Sequence, residues 1–250
     1  MGISEHYFTE RQAHDFDDLL FLTVPQQASS PGGGYRLLGS LVERRGGLRR
    51  YPVPELLDGP GGILDAIVAR RERLGLAGQE LTPSKVLAGS SRELHVEKRH
   101  LTDAGIDSVP MVPARLSLGL DFSRVKRTSL EFGEGTRVAY IPRGYLHKLY
   151  HAVDGKSEAL EPTGLLKKHM VVQAVLLTRS FRMTFSSDST FESDFEAAIS
   201  AKNRVSEERE TGLKVQYEVV RSRELSAVVS SEDEYLVGLR AVRWRQFDMA

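Results

Sequence analysis

The sequence contains no cysteine, and this absence excludes several kinds of site at once. A disulfide framework, a thiolate metal centre and a cysteine nucleophile all require a thiol, so none of them is available to this chain. A cysteine-free chain also suits the reducing cytosol, although the absence does not prove that location. Function must therefore come from charge, apolar patterning and backbone structure.

A leader peptide and long apolar runs are missing as well. The N-terminus, MGISEHYFTERQAHDFDD, is acidic and lacks the apolar region of a secretory signal. His6 stands where a myristoylation motif has Ser or Thr. The longest apolar run, MVVQAVLL at 170–177, is interrupted by Gln173 and is far shorter than the roughly 20 residues of a spanning helix. The chain is therefore expected to be made as a soluble protein, and any membrane crossing must use strands.

Neither sign of charge is in excess, since 34 Lys and Arg residues balance 34 Asp and Glu residues. No global field directs the chain to nucleic acid or to a membrane, so electrostatic targeting must come from local clusters. The strongest cluster is ERRGGLRR at 43–50, where five arginines and one glutamate lie between Arg36 and Arg50. A solvated hairpin tip is the ordinary interpretation, and contact with an anionic surface is the functional one. Nucleic acid fits less well, because only Tyr35 and Tyr51 offer stacking.

Recognisable catalytic motifs are also absent. His147 and His151 have the spacing of a two-histidine metal site, but Lys148 follows the first histidine where zinc proteases have Glu. GPGG at 59–62 lacks the Lys-Ser/Thr of a phosphate loop, and no G-x-S-x-G elbow occurs. The sequence therefore predicts no metal site, no cofactor and no catalytic residue. An enzyme whose site is assembled from scattered residues stays open as a rival.

The distribution of apolar residues predicts many strands and a few short helices. Apolar positions recur at helical spacing in 4–21, 63–76 and 143–153. Strands are predicted in 35–53, as a hairpin turning at Gly46-Gly47, and in 169–185, 213–220 and 235–244. The only linker-like stretch, 26–34, is too near the start to divide the chain. The prediction is a single domain, 1–250, of the α+β class with a mostly antiparallel sheet.

One strand pattern raises the question of what its apolar face touches. In RLSLGLDFS, large apolar residues alternate with small or polar ones, which places the large side chains on one face. FRMTF at 181–185 alternates in the same way. Such a face usually packs on a protein core, yet about 9–11 alternating residues is also the length of a membrane β-strand. The pattern alone leaves core and lipid both open.

Four stretches together resemble the pore-forming domain of gasdermins. YRLLGSLVERRGGLRRYPVPELLD is similar to that family's opening hairpin, and GYLHKLYHAVDG to the short helix before its second long hairpin. HMVVQAVLLTRSFRMTF resembles the family's V-V-x-x-V-L-x-[ST]-x-x-F strand, and YLVGLRAVRW its closing strand. They follow the family's order over about residues 16–247.

The resemblance implies a soluble form with a twisted sheet ringed by helices. It also implies two hairpins per subunit, within 84–140 and 170–220, that extend and join neighbouring subunits as one membrane β-barrel. The lipid-contacting turn would hold Arg44, Arg45, Arg49 and Arg50. The membrane-inserting residues would be Leu116, Leu118, Leu120, Phe122, Phe181, Met183 and Phe185.

Departures from the family sharpen this expectation. Because the sequence ends six residues after Trp244, no inhibitory C-terminal domain of the animal kind is expected, and the sequence lacks the N-terminal cysteine of bacterial members. It is most similar to the fungal gasdermin-like regulators of allorecognition, or heterokaryon incompatibility. The expected protein is a non-enzymatic, pyroptosis-like cell-death effector, cytoplasmic when inactive and at the plasma membrane when active. Its expected partners are acidic phospholipids, further copies of itself and a variant homologue that triggers it, but not nucleic acid.

A soluble β-sheet interaction module without membrane activity is the alternative. In that case a sheet edge binds a partner strand, and the alternating strands simply cover a core. Dye release from anionic liposomes separates the pore-forming interpretation from both this module and the enzyme.

Overall fold

A computed structural model describes eleven segments of the chain, which hold twelve strands and two helices. The segments are 7–9, 20–27, 37–45, 53–56, 62–82, 84–86, 91–94, 125–152, 170–187, 205–208 and 212–243. The first elements are β1 (Tyr7–Thr9), β2 (Leu20–Gln27), β3 (Leu41–Arg45), β4 (Val53–Leu56), α1 (Gly62–Arg70), β5 (Ser84–Val86) and β6 (Ser91–Leu94). They are followed by β7 (Val125–Phe132), β8 (Arg137–Tyr140), α2 (Arg143–Ala152), β9 (Met170–Ser187), β10 (Val205–Glu208), β11 (Leu213–Arg221) and β12 (Glu224–Arg243).

All twelve strands belong to one sheet, and each strand pair in the described segments is antiparallel. The two longest strands, β9 with 18 residues and β12 with 20, pair with each other from Arg243 opposite Met170 to Glu224 opposite Ser186. β3, β7 and β8 pair with β9, and β2 and β11 pair with β12. The predicted α+β class with an antiparallel sheet and short helices is therefore confirmed.

A hydrophobic core cluster lies where the first part of β9 meets the helices. Residues 171–178 of β9 are all buried, as expected for a strand covered on both faces. This explains why MVVQAVLL reads as an almost continuous apolar run and not as an alternating one. The cluster joins apolar residues of β9 and β12 to Ile63 and Ile67 of α1 and to Leu146 and Leu149 of α2.

Gly39 fixes the way in which α1 attaches to the sheet. Its N–H donates to the Val172 carbonyl at 2.8 Å, and its own carbonyl accepts from the Ile63 N–H at 2.9 Å. Its φ of +82° lies in the left-handed region, and a Cβ at this position would sit 2.5 Å from the Leu64 nitrogen. Both the backbone angle and the close approach of α1 therefore require glycine.

Several strand and helix predictions are confirmed. The helix predicted in 63–76 is α1, which ends earlier, at Arg70, and the helix predicted in 143–153 is α2. The long strand predicted in 169–185 is β9. The hairpin predicted in 35–53 is present with later bounds, as the β3–β4 pair over 41–45 and 53–56, in which Arg45 lies opposite Val53. Its predicted turn at Gly46-Gly47 lies outside the described residues.

The helix predicted over 4–21 is wrong, because the structure has β1 and the start of β2 there. Tyr7, Phe8 and Thr9 pair with Leu22, Phe21 and Leu20. The apolar residues form two short clusters at the ends of this segment, and the aromatic ones favour strands. Sheet pairing between these clusters overrides a helical periodicity that has almost no apolar residue in its middle.

The last strand is much longer than predicted. It begins at Glu224, eleven residues before the predicted start at Tyr235. The polar stretch SSEDE at 230–234 hides this continuity in the sequence, because it interrupts the alternation. In the structure it corresponds to a register shift between Ser230 and Tyr235.

Replacing Gly39 by Ala is expected to lower the free energy of unfolding by about 2–5 kcal/mol, through left-handed backbone strain and the clash with Leu64. Gly78→Ala is the matched control, since Gly78 has a φ of +73° but nothing within 4 Å of the added Cβ. This control should lose only about 1–2 kcal/mol. Urea unfolding followed by circular dichroism measures both, and equal losses would contradict the role assigned to the α1 contact.

Candidate functional site

The two central strands change character part-way along their length. Up to Thr178, β9 is buried on both faces, whereas beyond it Arg182 is exposed between buried Phe181 and Met183. On β12 the same position is marked by the register shift between Ser230 and Tyr235. We call the part beyond this boundary the amphipathic half. It comprises β6, β7, residues 181–187 of β9, β10, β11 and residues 224–230 of β12.

One face of the amphipathic half is apolar across four strands. Residues directly opposite each other on antiparallel strands share a face, so the register defines rows of side chains. The first row is Phe132, Phe181, Val229 and Val215, and the second is Leu130, Met183, Ala227 and Tyr217. Each of these eight side chains is at most 4% exposed. Phe185, Leu225 and the half-buried Val219 extend the face by part of a third row.

Tyr217 is the one residue of these rows that carries an ionisable group. Its side chain is 4% exposed and lies opposite Ala227. Burial raises the pKa of Tyr217 above its ordinary value, because the phenolate would have to form in an apolar environment. The apolar face is therefore uncharged at physiological pH.

The other face of the same strands is polar. One row across it is Glu131, Arg182, Val228 and Gln216, and the next is Ser129, Thr184, Ser226 and Glu218. Glu131 and Arg182 are both exposed and lie directly opposite each other, an arrangement in which opposite charges attract. The amphipathic half is thus a sheet with an apolar surface on one side and a mainly polar surface on the other, where Ser226 alone of these rows is fully buried.

The structure places only some of the residues that the sequence singled out. Phe181, Met183 and Phe185 lie together on the apolar face and are at most 3% exposed. Their contact with lipid stays a prediction. The predicted residues Leu116, Leu118, Leu120 and Phe122 lie outside the described part of the chain.

Two of the four arginines predicted to lie in a basic turn lie in a strand instead. Arg44 and Arg45 are the last two residues of β3 and pair with Pro54 and Val53, so they belong to the strand and not to the turn. The reason is that the pairing of β3 with β4 continues from Glu43 through Arg45. Arg49 and Arg50 lie outside the described residues, and the lipid-binding role of all four stays a prediction.

Sequence reasoning missed the contributions of β7, β11 and the start of β12 to the apolar face. The signal was present in LKVQYEVV, where apolar residues alternate with polar ones, and more weakly in the last three residues of VKRTSLEF. What a single strand's pattern does not contain is the register that lines up Phe132, Phe181 and Val229 in one row.

The remaining candidates give no chemical site. The rings of His147 and His151 contact each other edge to face, with centroids 4.3 Å apart. Across the segments that the structure describes, no group of three or more potential metal ligands occurs. The same segments include no helix that is long and apolar enough to span a membrane.

Comparison with known proteins gives a similarity in structure and none in sequence. No protein-family model and no curated protein matches the sequence. Among solved structures, the chain is similar to a bacterial gasdermin from Bradyrhizobium tropiciagri, with 15% identity over 90% of this chain and 81% of that chain. The TM-score is 0.40. At this level the similarity decides neither family nor function, which rest on the residues of this chain.

Replacing Phe181 or Phe185 by Ala is expected to lower the free energy of unfolding by about 3–5 kcal/mol, because each ring is fully buried. Arg182→Ala is the control on the same strand and should change it by at most about 1 kcal/mol, the value of an exposed cross-strand pair. Urea titrations of the three variants measure these effects. If Arg182→Ala is as harmful as the phenylalanine variants, the assignment of the two faces is wrong.

Proposed function

We propose that the chain is a gasdermin-like pore-forming protein whose amphipathic half enters an acidic membrane. The observation that supports this most directly is the pair of opposite faces shared by four adjacent strands. The four quoted stretches that resemble gasdermins, in that family's order, support the same conclusion independently of the coordinates.

The two faces suit such a change of surroundings. Moving the apolar face from a protein core to lipid keeps its side chains out of water, so the hydrophobic contribution is largely retained. Strands that enter lipid must keep all their backbone groups paired, and antiparallel neighbours already do so here. The polar face, with Glu131, Arg182 and Glu218, would then line the aqueous side.

The finer parts of the proposal follow the resemblance. The protein acts as a single domain over 1–250, without enzymatic activity, and waits in the cytoplasm until an incompatible variant homologue triggers it. Copies of the chain then assemble at the plasma membrane and permeabilise it, which kills the cell. Leu116, Leu118, Leu120, Phe122, Phe181, Met183 and Phe185 are the proposed membrane-inserting residues.

Arg44, Arg45, Arg49 and Arg50 are the proposed contacts with acidic phospholipid. Each basic residue close to an anionic surface contributes about 1 kcal/mol, so the four together supply up to about 4 kcal/mol, or about 10³ in partitioning. That is enough to recruit a chain whose 34 basic and 34 acidic residues balance.

Release of a trapped dye from phosphatidylserine liposomes tests the proposal as a whole. Purified protein should release the dye when a triggering variant is present, and ring-shaped or arc-shaped assemblies should be visible by electron microscopy. Absence of leakage under every condition, together with capture of a partner strand on the sheet edge, would favour the interaction module.

Val219→Arg is expected to reduce leakage several-fold while leaving the soluble fold intact. Val219 lies on the apolar face but is half-buried, so the folded protein tolerates a longer side chain there. An arginine facing lipid costs about 2–4 kcal/mol at the bilayer centre and less towards its surfaces. Dye release and thermal unfolding are measured together.

Glu218→Arg is the matched control, since it puts the same side chain on the neighbouring, exposed residue of the polar face. It should leak at close to the wild-type rate. If the two variants leak alike, the apolar face does not enter lipid.

Changing Arg44, Arg45, Arg49 and Arg50 to Gln is expected to abolish co-sedimentation with phosphatidylserine vesicles and to leave the fold intact. Binding by the unchanged protein should weaken as salt rises, because the Debye length falls from about 10 Å at 0.1 M to about 3 Å at 1 M.

The control changes four exposed arginines outside the cluster, Arg71, Arg73, Arg221 and Arg223, to Gln. Its net charge changes by the same amount, so it separates the cluster from overall charge. If the control loses binding and the first variant does not, the lipid site lies elsewhere.

A further inference from the structure

We propose that a belt of polar residues across the middle of the sheet is a hinge, and that the Arg137–Glu234 ion pair holds this hinge in its resting position. The hinge is a property of the chain itself. Only its use in membrane insertion rests on the proposed function.

The regular pairing along β9 is interrupted on both of its edges at the same level of the sheet. β7 and β8 pair with the same edge of β9, and the four residues 133–136 between them lie opposite the three residues 178–180. On the other edge of β9, the four residues 231–234 of β12 lie opposite Arg179 alone. We call these three segments the belt.

The neighbours of β12 also change at the belt. On one side Ser230 pairs with Lys214 of β11, and on the other Tyr235 pairs with Gln27 of β2. The two halves of the sheet therefore have different outer strands as well as different burial. The chain runs from one half to the other through the three belt segments, and polar contacts are made there.

No residue of the belt is apolar. The segments read GEGT, TRS and SEDE, whereas apolar rows lie immediately on either side. A change of angle between the halves would thus separate polar groups that water can solvate, and would expose little apolar surface at the line of bending. This composition distinguishes the belt from an ordinary bulge within a packed core.

Short polar contacts tie β9 to the segment 133–136. The hydroxyl oxygens of Thr136 and Thr178 lie 2.6 Å apart, and the Gly133 N–H donates to the Ser180 carbonyl at 3.0 Å. Gly133 approaches so closely that an added Cβ would lie 2.0 Å from Ser180 Oγ. The contacts hold one defined geometry although the regular ladder is broken.

The Arg137–Glu234 ion pair ties the start of β8 to the belt segment 231–234 across β9. The guanidinium makes two parallel hydrogen bonds to the carboxylate, from Nε to Oε1 at 2.8 Å and from Nη2 to Oε2 at 2.6 Å. The side chains are only 31% and 19% exposed. Partly buried, bidentate pairs of this kind are stronger and more directional than ordinary surface pairs. This pair therefore fastens the start of β8 to the break in β12.

Hydrogen exchange of the full-length chain in solution tests the hinge without any membrane. Glu234→Gln keeps the size of the side chain but removes its charge. It should accelerate amide exchange at the belt, in 133–136, 178–180 and 231–234, by about threefold to tenfold, and leave 171–177 and α1 unchanged. The exchanged pair, Arg137→Glu with Glu234→Arg, should restore the slow rates. Equal acceleration in both halves, or none, would overturn the proposal.

A reversible cross-link tests the use of the hinge. Thr136→Cys with Thr178→Cys introduces the only two cysteines of the chain, at side chains that already touch. In the Glu234→Gln background, oxidation should return exchange to the wild-type rate, and reduction of the same sample should release it.

Dye release from phosphatidylserine liposomes should be lost on oxidation and should return on reduction. Leakage that is equally fast in both forms would overturn the hinge as a step of insertion. Failure of every form to leak, with exchange still controlled by the cross-link, would instead reject the proposed function and retain the hinge.

Discussion

The antiparallel pairing of β9 with β12 is the constraint on which the rest of the structure depends. At about 3.3 Å per residue the two strands extend over roughly 60 Å, and β2, β3, β7, β8 and β11 are all placed by pairing with one of them. Because both strands run through the belt, one continuous backbone connects the part of the sheet that is buried on both faces, around residues 171–178 of β9, with the amphipathic half. A change in one part is therefore transmitted to the other through covalent chain and not only through packing.

The two parts of the sheet solve the problem of burial in different ways. Around Val175 and Leu177 the sheet is buried on both faces, and the helices α1 and α2 pack against it. Both faces of this part therefore require an apolar protein partner. Around Met183 and Ala227 one face stays polar, and only the other needs an apolar partner. A protein core and a lipid phase satisfy that second requirement about equally well. This is the physical basis for assigning an anchoring role to the first part and a mobile one to the second.

Much of the fold could be predicted from local pattern. The apolar run at Met170, the helical face around Leu146 and Leu149, and the basic hairpin each carry a strong signal within one element. The helix predicted around Tyr7 and Phe8 is wrong because these residues pair with Leu20–Leu22 in the folded sheet, and periodicity does not show which residues pair. The beginning of β12 could not be predicted for a similar reason. The polar residues 231–234 lie opposite Arg179 alone, and this register cannot be read from the sequence of one strand.

The candidate site was predictable to the same extent. Phe181, Met183 and Phe185 were found from alternation, whereas their partners on β7, β11 and β12 depend on cross-strand register. Arg44 and Arg45 were placed in a turn because charge marks exposed tips, but the ladder extends through them. Single-strand patterns thus identify which residues share a face, and only the assembled sheet shows how wide that face is.

The pairing of β12 with both β2 and β9 has a consequence for the order of events during synthesis. β2 lies near the beginning of the described chain and β12 near its end, so the pairing between them joins residues that are very far apart in the sequence. Such topologies fold slowly, because a long loop must be ordered before its contacts form. On the ribosome, β2 and β9 must therefore wait for β12 before their ladders are complete. Translation itself thus delays the appearance of the finished sheet, and the partly made chain is the form most in need of a chaperone.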